Sequence, residues 1–140
     1  IYVCTANVRD GDDDQRPGDG TIVPLDETGA GKAILSQMPD ERIEQLRDEG
    51  KLQNTDPADF ADLLSEIRMV REQDIAFDRG NNQFELQCAG AVIHDSSSVS
   101  VGAVELVGPE VRVTDKRLEE DFPGLILKAV SDIEKKLSNQ

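Results

Sequence analysis

Pro24-Leu25-Asp26-Glu27-Thr28-Gly29-Ala30-Gly31-Lys32-Ala33 is the stretch on whose reading the fold turns. A phosphate loop places a glycine well before its Gly-Lys pair, so that backbone N–H groups curl around phosphate oxygens. It places Ser or Thr directly after the lysine, to hold magnesium. Asp26 and Ala33 stand at those two places. Asp26 would set a carboxylate against phosphate, and Ala33 has no hydroxyl. The stretch therefore reads as a tight glycine-rich turn opening a short apolar helix, Ala33-Ile34-Leu35. Free N–H groups at such a turn can hold a small polar or anionic ligand. That points to small-molecule binding rather than nucleotide hydrolysis.

Before this turn, Ile1 to Val8 reads as a strand, and Arg9 to Gly20 as an acidic loop. The loop superficially resembles a calcium loop from Asp10, but Gln15 and Thr21 fall where a bend glycine and a bidentate Glu belong. No metal is expected there. Thr21 to Leu25 reads as a short strand entering the turn. After it, Pro39 to Glu49 reads as a helix with acids at its start and Gly50 after its end. Pro57 to Gln73 reads as a stronger helix, capped by Thr55 or Asp56. Phe60, Leu63, Leu64, Ile67 and Val70 form its apolar stripe, which is expected to pack on a sheet.

Ile75 to Asp78 reads as a short strand. Phe84-Glu85-Leu86-Gln87-Cys88 alternates and continues to His94. With a turn at Asp95–Ser98 and a return strand from Val99 to Val107, His94 faces Val99, Cys88 faces Glu105 and Leu86 faces Val107. Cross-strand partners share a face, so Cys88, Glu105, Leu86, Val107, Val101 and Ala103 line one side. Val104 and Leu106 line the other, which leaves the sheet covered on both sides. Thr114 or Asp115 caps a last helical region. There Leu118, Phe122, Leu125, Ala129, Ile133 and Leu137 recur, and Pro123 breaks or restarts the helix. That helix is expected across the sheet or against a partner subunit.

Twenty-nine acidic residues against 15 basic ones give a net charge of −14. Such a surface is a poor direct binder of nucleic acid, since phosphate contacts need basic groups. Six lysines and an excess of Asp over Glu suggest a high-salt cytoplasm, such as that of a halophilic archaeon, where self-repulsion is screened. An ordinary acidic mesophilic protein is the alternative. No apolar run approaches the roughly 20 residues that span a bilayer, and no secretion signal opens the chain. A cytoplasmic domain without membrane contact is expected. The length suits one domain over residues 1–140. The start at Ile1, in mid-strand, suggests a fragment of a longer protein.

Cys4 and Cys88 lack metal-ligand spacing and read as buried thiols rather than a disulfide. His94, beside Asp95, reads as a surface histidine. Glu105, on an otherwise apolar face, has two readings. It is a strand-end Glu reaching solvent or a backbone N–H, or it is a pocket wall. In the second, Cys88, Glu105, Asp78 and the Gly29–Ala30 turn converge on a small polar ligand. Facing carboxylates disfavour the thiolate, so Cys88 is a poor nucleophile.

The turn Pro24-Leu25…Thr28-Gly29-Ala30-Gly31-Lys32-Ala33, the pair Phe77-Asp78 ten residues before Cys88, and the strand ending at Gly108-Pro109 together resemble the effector-binding domain of IclR-type transcription regulators. The resemblance runs essentially from Ile1 to Leu137. It implies a GAF-like α/β (α+β) fold, an antiparallel sheet flanked by helices on both sides. It implies an N-terminal winged helix-turn-helix domain, absent from this chain, through which alone DNA is bound. It also implies homo-dimers or tetramers, a small organic effector, and neither cofactor nor enzymatic activity. By the resemblance the backbone of Gly29 and Ala30 and the side chains of Asp78 and Cys88 hold the effector, with Leu86, Glu105 and Val107 completing the pocket. Family members often carry serine at the positions of Glu105 and Val107, and an acidic pair after Asp78 where this chain has Gly80 and Asn81. Typical effectors of the family are small organic, sugar or aromatic acids. Two carboxylates in one pocket instead favour a hydroxyl-rich or amine-bearing effector. The alternatives are a GAF-like thiol redox enzyme using Cys88 and a structural dimerisation module.

Overall fold

The computed structural model describes residues 19–79 and 86–140. The expected strand over Ile1–Val8, nearly all of the acidic loop, Cys4, Gly80, Asn81 and the Phe84–Glu85 start of the alternating strand lie outside those residues. Thr21–Leu25 is not a strand. Residues 21–24 have no regular structure, and Leu25–Glu27 makes a single 3-10 turn. Pro24 has no N–H to give a ladder, and its carbonyl accepts the Glu27 N–H at 3.3 Å instead.

The glycine turn becomes helix α1, Gly29–Ser36, with Thr28 as N-cap in an extended conformation. The Thr28 hydroxyl accepts the Gly31 N–H at 2.9 Å, meeting one of the N–H groups a helix start leaves unpaired. Gly31 must be glycine: a Cβ there would lie 2.0 Å from the Leu25 carbonyl oxygen. Helix α2 spans Asp40–Asp48 and α3 spans Pro57–Gln73, as the sequence predicts, with Asp56 at the N-cap of α3. The α3 stripe does not rest chiefly on the sheet. Phe60, Leu63 and Ile67 join Leu35, Ile43, Leu46 and Leu52 in a core between helices. Only Val70 reaches the strands, with Ala33, Ala76 and Val92. The stripe is occupied by α1 and α2 because α1 already lies on that face of the sheet.

Arg71 of α3 ties this layer together. Its guanidinium donates to the Ser36 and Met38 carbonyls at 3.1 and 2.6 Å and pairs with Asp40 at 2.8 Å. It thus serves the C-terminal end of α1 and the start of α2 at once. Hydrogen bonds from Arg71 and Arg68 hold the Asp40 carboxyl below the usual carboxylate range.

Strands β1 (Ala76–Arg79), β2 (Leu86–His94) and β3 (Ser100–Pro109) form an antiparallel sheet in that order. The predicted β2–β3 register is wrong by two residues. Cys88 lies opposite Val107, Glu105 opposite Gly90 and Leu86 opposite Pro109. Two causes contribute one residue each. The loop runs Asp95–Val99, because the Asp95 carboxylate accepts the N–H groups of Ser97 and Val99 at 2.8 and 3.0 Å. His94 therefore pairs with Ser100, and a bulge follows before Ile93 pairs with Gly102. A slip of two preserves every face, so the assignment of Cys88, Leu86, Glu105 and Val107 to one side stands.

Helix α4, Phe122–Ser138, covers the opposite face. A short π-helical stretch, Arg117–Asp121, leads into it, and Pro123 falls in its first turn, where a missing N–H costs nothing. The buried stripe is Leu118, Phe122, Ile126 and Val130, not the expected series through Leu125 and Leu137. Leu125 is 58% exposed. The stripe packs with Ile75, Ala89, Ala91 and Val113.

Candidate functional site

Of the site residues expected from the sequence, Gly29 and Ala30 open α1, and Asp78, Leu86, Cys88, Glu105 and Val107 come from the three strands. Asp78 on β1 is paired with Cys88 on β2, and Cys88 in turn with Val107 on β3. Asp78, Cys88 and Leu86 are all buried. One step along, Gly90 lies opposite Glu105. A Cβ on Gly90 would stand 2.4 Å from the Ala30 nitrogen and the Gly29 carbonyl carbon. The backbone of α1 therefore rests directly on the backbone of β2.

Two sheet side chains take the first N–H groups of this helix. The Gly29 N–H donates to the Cys88 sulfur at 3.3 Å. The Ala30 N–H donates to Glu105 Oε2 at 3.0 Å. The second contact follows from the register: two residues of strand rise, about 6.6 Å, carry Glu105 from beside Cys88 to beside Gly90 and under Ala30. Of the two readings of Glu105, the one in which its carboxylate meets a backbone N–H describes the geometry. Burial above all, then the charges of Glu105 and Asp78, push the Cys88 thiol well above the ordinary thiol range; the Gly29 N–H and Lys32 oppose this by less. Cys88 is a neutral acceptor here, not a nucleophile.

Open space lies to one side of this cluster. A cleft of about 540 Å³ runs between the start of α1, α3 and β1, and Asp78 forms part of its wall. Of the expected site residues only Asp78 lines it; Gly29, Ala30, Leu86, Cys88, Glu105 and Val107 do not. Its other walls include Lys32, Asn54, Glu66, Met69 and Gln73. Lys32, which stands where a phosphate loop would put its lysine, is largely buried and pairs with Glu66 at 2.8 Å. Asp26, which stands in the glycine's place, is buried. Its Oδ2 accepts the N–H groups of Gln53 and Asn54 at 2.8 Å and the Asn54 side-chain amide at 2.7 Å. It clasps the α2–α3 connection to the start of α1. Nothing local in the sequence marks Lys32, Glu66 or Asp26 for these contacts, since the partners of each lie 27 or more residues away.

His94 stands six residues further along β2. Its N–H donates to Glu134 of α4 at 2.8 Å, and its ring Nε2 lies 3.1 Å from the Gln37 side-chain oxygen. It braces the surface between α1 and α4 and takes no part in the site. Among the described residues no group of three or more His, Cys, Asp or Glu is arranged to hold a metal ion. No described helix is long and apolar enough to cross a membrane.

The family described as bacterial transcriptional regulator IclR C-terminal matches residues 15–135. The Transcriptional repressor IclR of Escherichia coli K12 is 28% identical over 117 residues, covering 81% of this chain and 42% of that protein. The HTH-type transcriptional repressor AllR of the same strain is 30% identical over 101 residues, covering 70% of this chain and 37% of that protein. The chain thus spans less than half the length of these curated relatives, which are transcriptional repressors by name. Among solved structures, a transcriptional regulator of Rhodococcus sp. RHA1 superposes with a TM-score of 0.77 at 23% identity, over 89% of this chain and 52% of that one. The inducer-binding domain of PobR from Acinetobacter, solved as a double mutant with 3-hydroxybenzoic acid, superposes at 0.73 and 17% identity, over 84% of this chain and 69% of that one. These likenesses establish the mixed fold of helices on an antiparallel sheet.

Proposed function

The chain belongs to the IclR C-terminal family, and on that premise we propose that it senses a small organic effector for a DNA-binding transcription regulator. The observation that carries this reading is the cleft of about 540 Å³ that reaches the buried Asp78. A cleft of that size suits a small molecule, and Asp78 joins it to the expected site at Gly29, Ala30, Cys88 and Glu105. The inducer-binding domain among the structural neighbours, holding an aromatic acid, supports a ligand on this fold. DNA would be bound by a separate winged helix-turn-helix domain, with homo-dimers or tetramers converting effector binding into a changed spacing of those domains.

The chemistry of the walls favours a hydroxyl-rich or amine-bearing effector. Asp59, Asp62, Glu66 and Asp78 edge the cleft against the two cations Lys32 and Arg79, and Lys32 is already paired with Glu66. A simple anion would meet more carboxylates than cations. Thermal-shift screening against polyols, amines, sugar acids and aromatic acids, repeated with Asp78→Ala, tests the reading. A stabilising compound whose effect is lost in Asp78→Ala upholds it. A hit indifferent to Asp78, or none from any class, removes it. The thiol-enzyme alternative has no support in the site, where Cys88 is buried and kept protonated.

The net charge of −14 supports a cytoplasm of high salt. The melting temperature should then climb between dilute buffer and molar potassium chloride. An unchanged melt removes the halophilic reading.

A further inference from the structure

We infer that Glu105 is the domain's own internal anion: its carboxylate fills the place at the start of α1 that would otherwise take the acid group of a small carboxylate, and so turns acids away. The inference rests on the reading of this site as an effector pocket.

Several observations converge on it. The opening N–H groups of α1 are met by three side chains of different kinds. Thr28 serves Gly31 from within the turn, Cys88 serves Gly29 as a neutral thiol, and Glu105 serves Ala30. Glu105 alone brings a carboxylate, and brings it from 75 residues away. The start of a helix favours an anion, and a carboxylate on a backbone N–H makes a charge-assisted bond. The fold therefore supplies, from its own β3, the type of group that this position attracts.

The packing leaves no second place for such a group. Gly90, opposite Glu105, lets the backbones of α1 and β2 touch, so nothing can enter between them. The Glu105 side chain reaches the Ala30 N–H from β3. Glu105 and its contact with Ala30 are only partly buried, so on this inference truncation at Cβ leaves a gap for a small solute. Further in, Asp78 adds a second negative charge against Cys88. A free acid arriving beside an intact Glu105 would meet two carboxylates and no spare N–H at Ala30.

Chemical rescue tests this with acetate as the probe. The native chain, Glu105→Ala and Glu105→Gln are melted in increasing sodium acetate, with sodium chloride and acetamide as controls at matched concentration. The native melting temperature should respond alike to acetate and chloride. Glu105→Ala should melt lower, and acetate alone should restore most of the loss along a saturable curve. The Ala30 amide resonance should return toward its native position in step. Glu105→Gln keeps an oxygen for the Ala30 N–H and should fold and ignore acetate. Acetate acting no better than chloride on a folded Glu105→Ala overturns the inference, as does acetate binding equally well to the native chain. If Glu105→Ala does not fold in chloride, it should refold in acetate; failure to do so counts against the inference. The sensing reading fails separately. An organic acid bound through Asp78 with Glu105 intact sinks this inference and leaves sensing standing. Acetate rescue with no effector from any class does the reverse.

Discussion

The two faces of one sheet are held in opposite ways. On the α4 face, Leu118, Phe122, Ile126 and Val130 press on Ala89 and Ala91 with Ile75 and Val113 between. That contact is area without direction, and its strength scales with apolar surface removed from water. On the α1 face, backbone lies on backbone at Gly90, and the specific links are hydrogen bonds to Cys88 and Glu105. That contact depends on direction and on the absence of a side chain. Both faces come from the same strands, alternate residue by alternate residue. Ala33 and Val92 add a small apolar contact on the α1 face, but the hydrogen bonds to the helix start are made there, while the larger apolar core lies on the odd positions of β2.

The division can be broken by substitution. Leu118→Ala should cost the most, about 2–5 kcal/mol, because Leu118 is fully buried on the α4 face; denaturant unfolding would show it, with the Gly29 and Ala30 amide resonances of the folded fraction little moved. A loss under 1 kcal/mol by the same measurement would mean that face is not the main store of stability. Gly90→Ala adds one carbon to the other face. It should cost about 1–3 kcal/mol and, unlike Leu118→Ala, displace the start of α1, seen as large shifts of the Gly29 and Ala30 amide resonances. Small shifts there would show that α1 is not seated on Gly90.

Alkaline pH sharpens the contrast. The Cys88 thiol is raised when folded and ordinary when unfolded, near 8.5. Above that value the unfolded chain loses a proton that the folded chain keeps, so folding stability should fall as pH rises, by about 1.4 kcal/mol per unit. Cys88→Ala should remove that slope, as measured by unfolding between pH 8 and 10. An identical slope in both chains would mean the thiol does not control it. The smallest effect belongs to the helical layer beside α1. Asp40 is held low by Arg71 and Arg68, so its contribution is present at neutral pH and fades as pH falls through its folded value. The pair is partly exposed, so Asp40→Asn should cost less than about 1 kcal/mol. It should also flatten the acid limb of the stability profile.

Much of this was legible in the sequence. The helices at α2 and α3 carry proline, acid and glycine punctuation at their ends, and such signals are local. The alternation of β2 and β3 likewise placed Cys88, Glu105 and Val107 on one face. What was not legible depended on long-range choices. The partner of each strand residue turned on how the Asp95 side chain caps its own loop and on the bulge between His94 and Ile93. The α3 stripe reads the same whether it meets a sheet or two helices. In α4 a series through Leu125 and one through Ile126 fit the helical period equally until the axis is fixed. Asp26 was marked as a residue that spoils a phosphate loop, and its clasp on Gln53 and Asn54 needed the fold to be seen.

The bulge near Val101 has a consequence for how this hairpin can vary among descendants. With the five-residue loop and no bulge, Glu105 would stand opposite Ala89, driven into the apolar cluster beneath α4, and Val104 would lie under the start of α1. The bulge absorbs the odd residue, so the face of every β3 residue beyond it is set at that one position. A residue inserted between Gly102 and Glu105 without a second bulge should therefore turn Glu105 away from the start of α1, whereas a residue lost from Ser96–Ser98 leaves every strand pair as it stands.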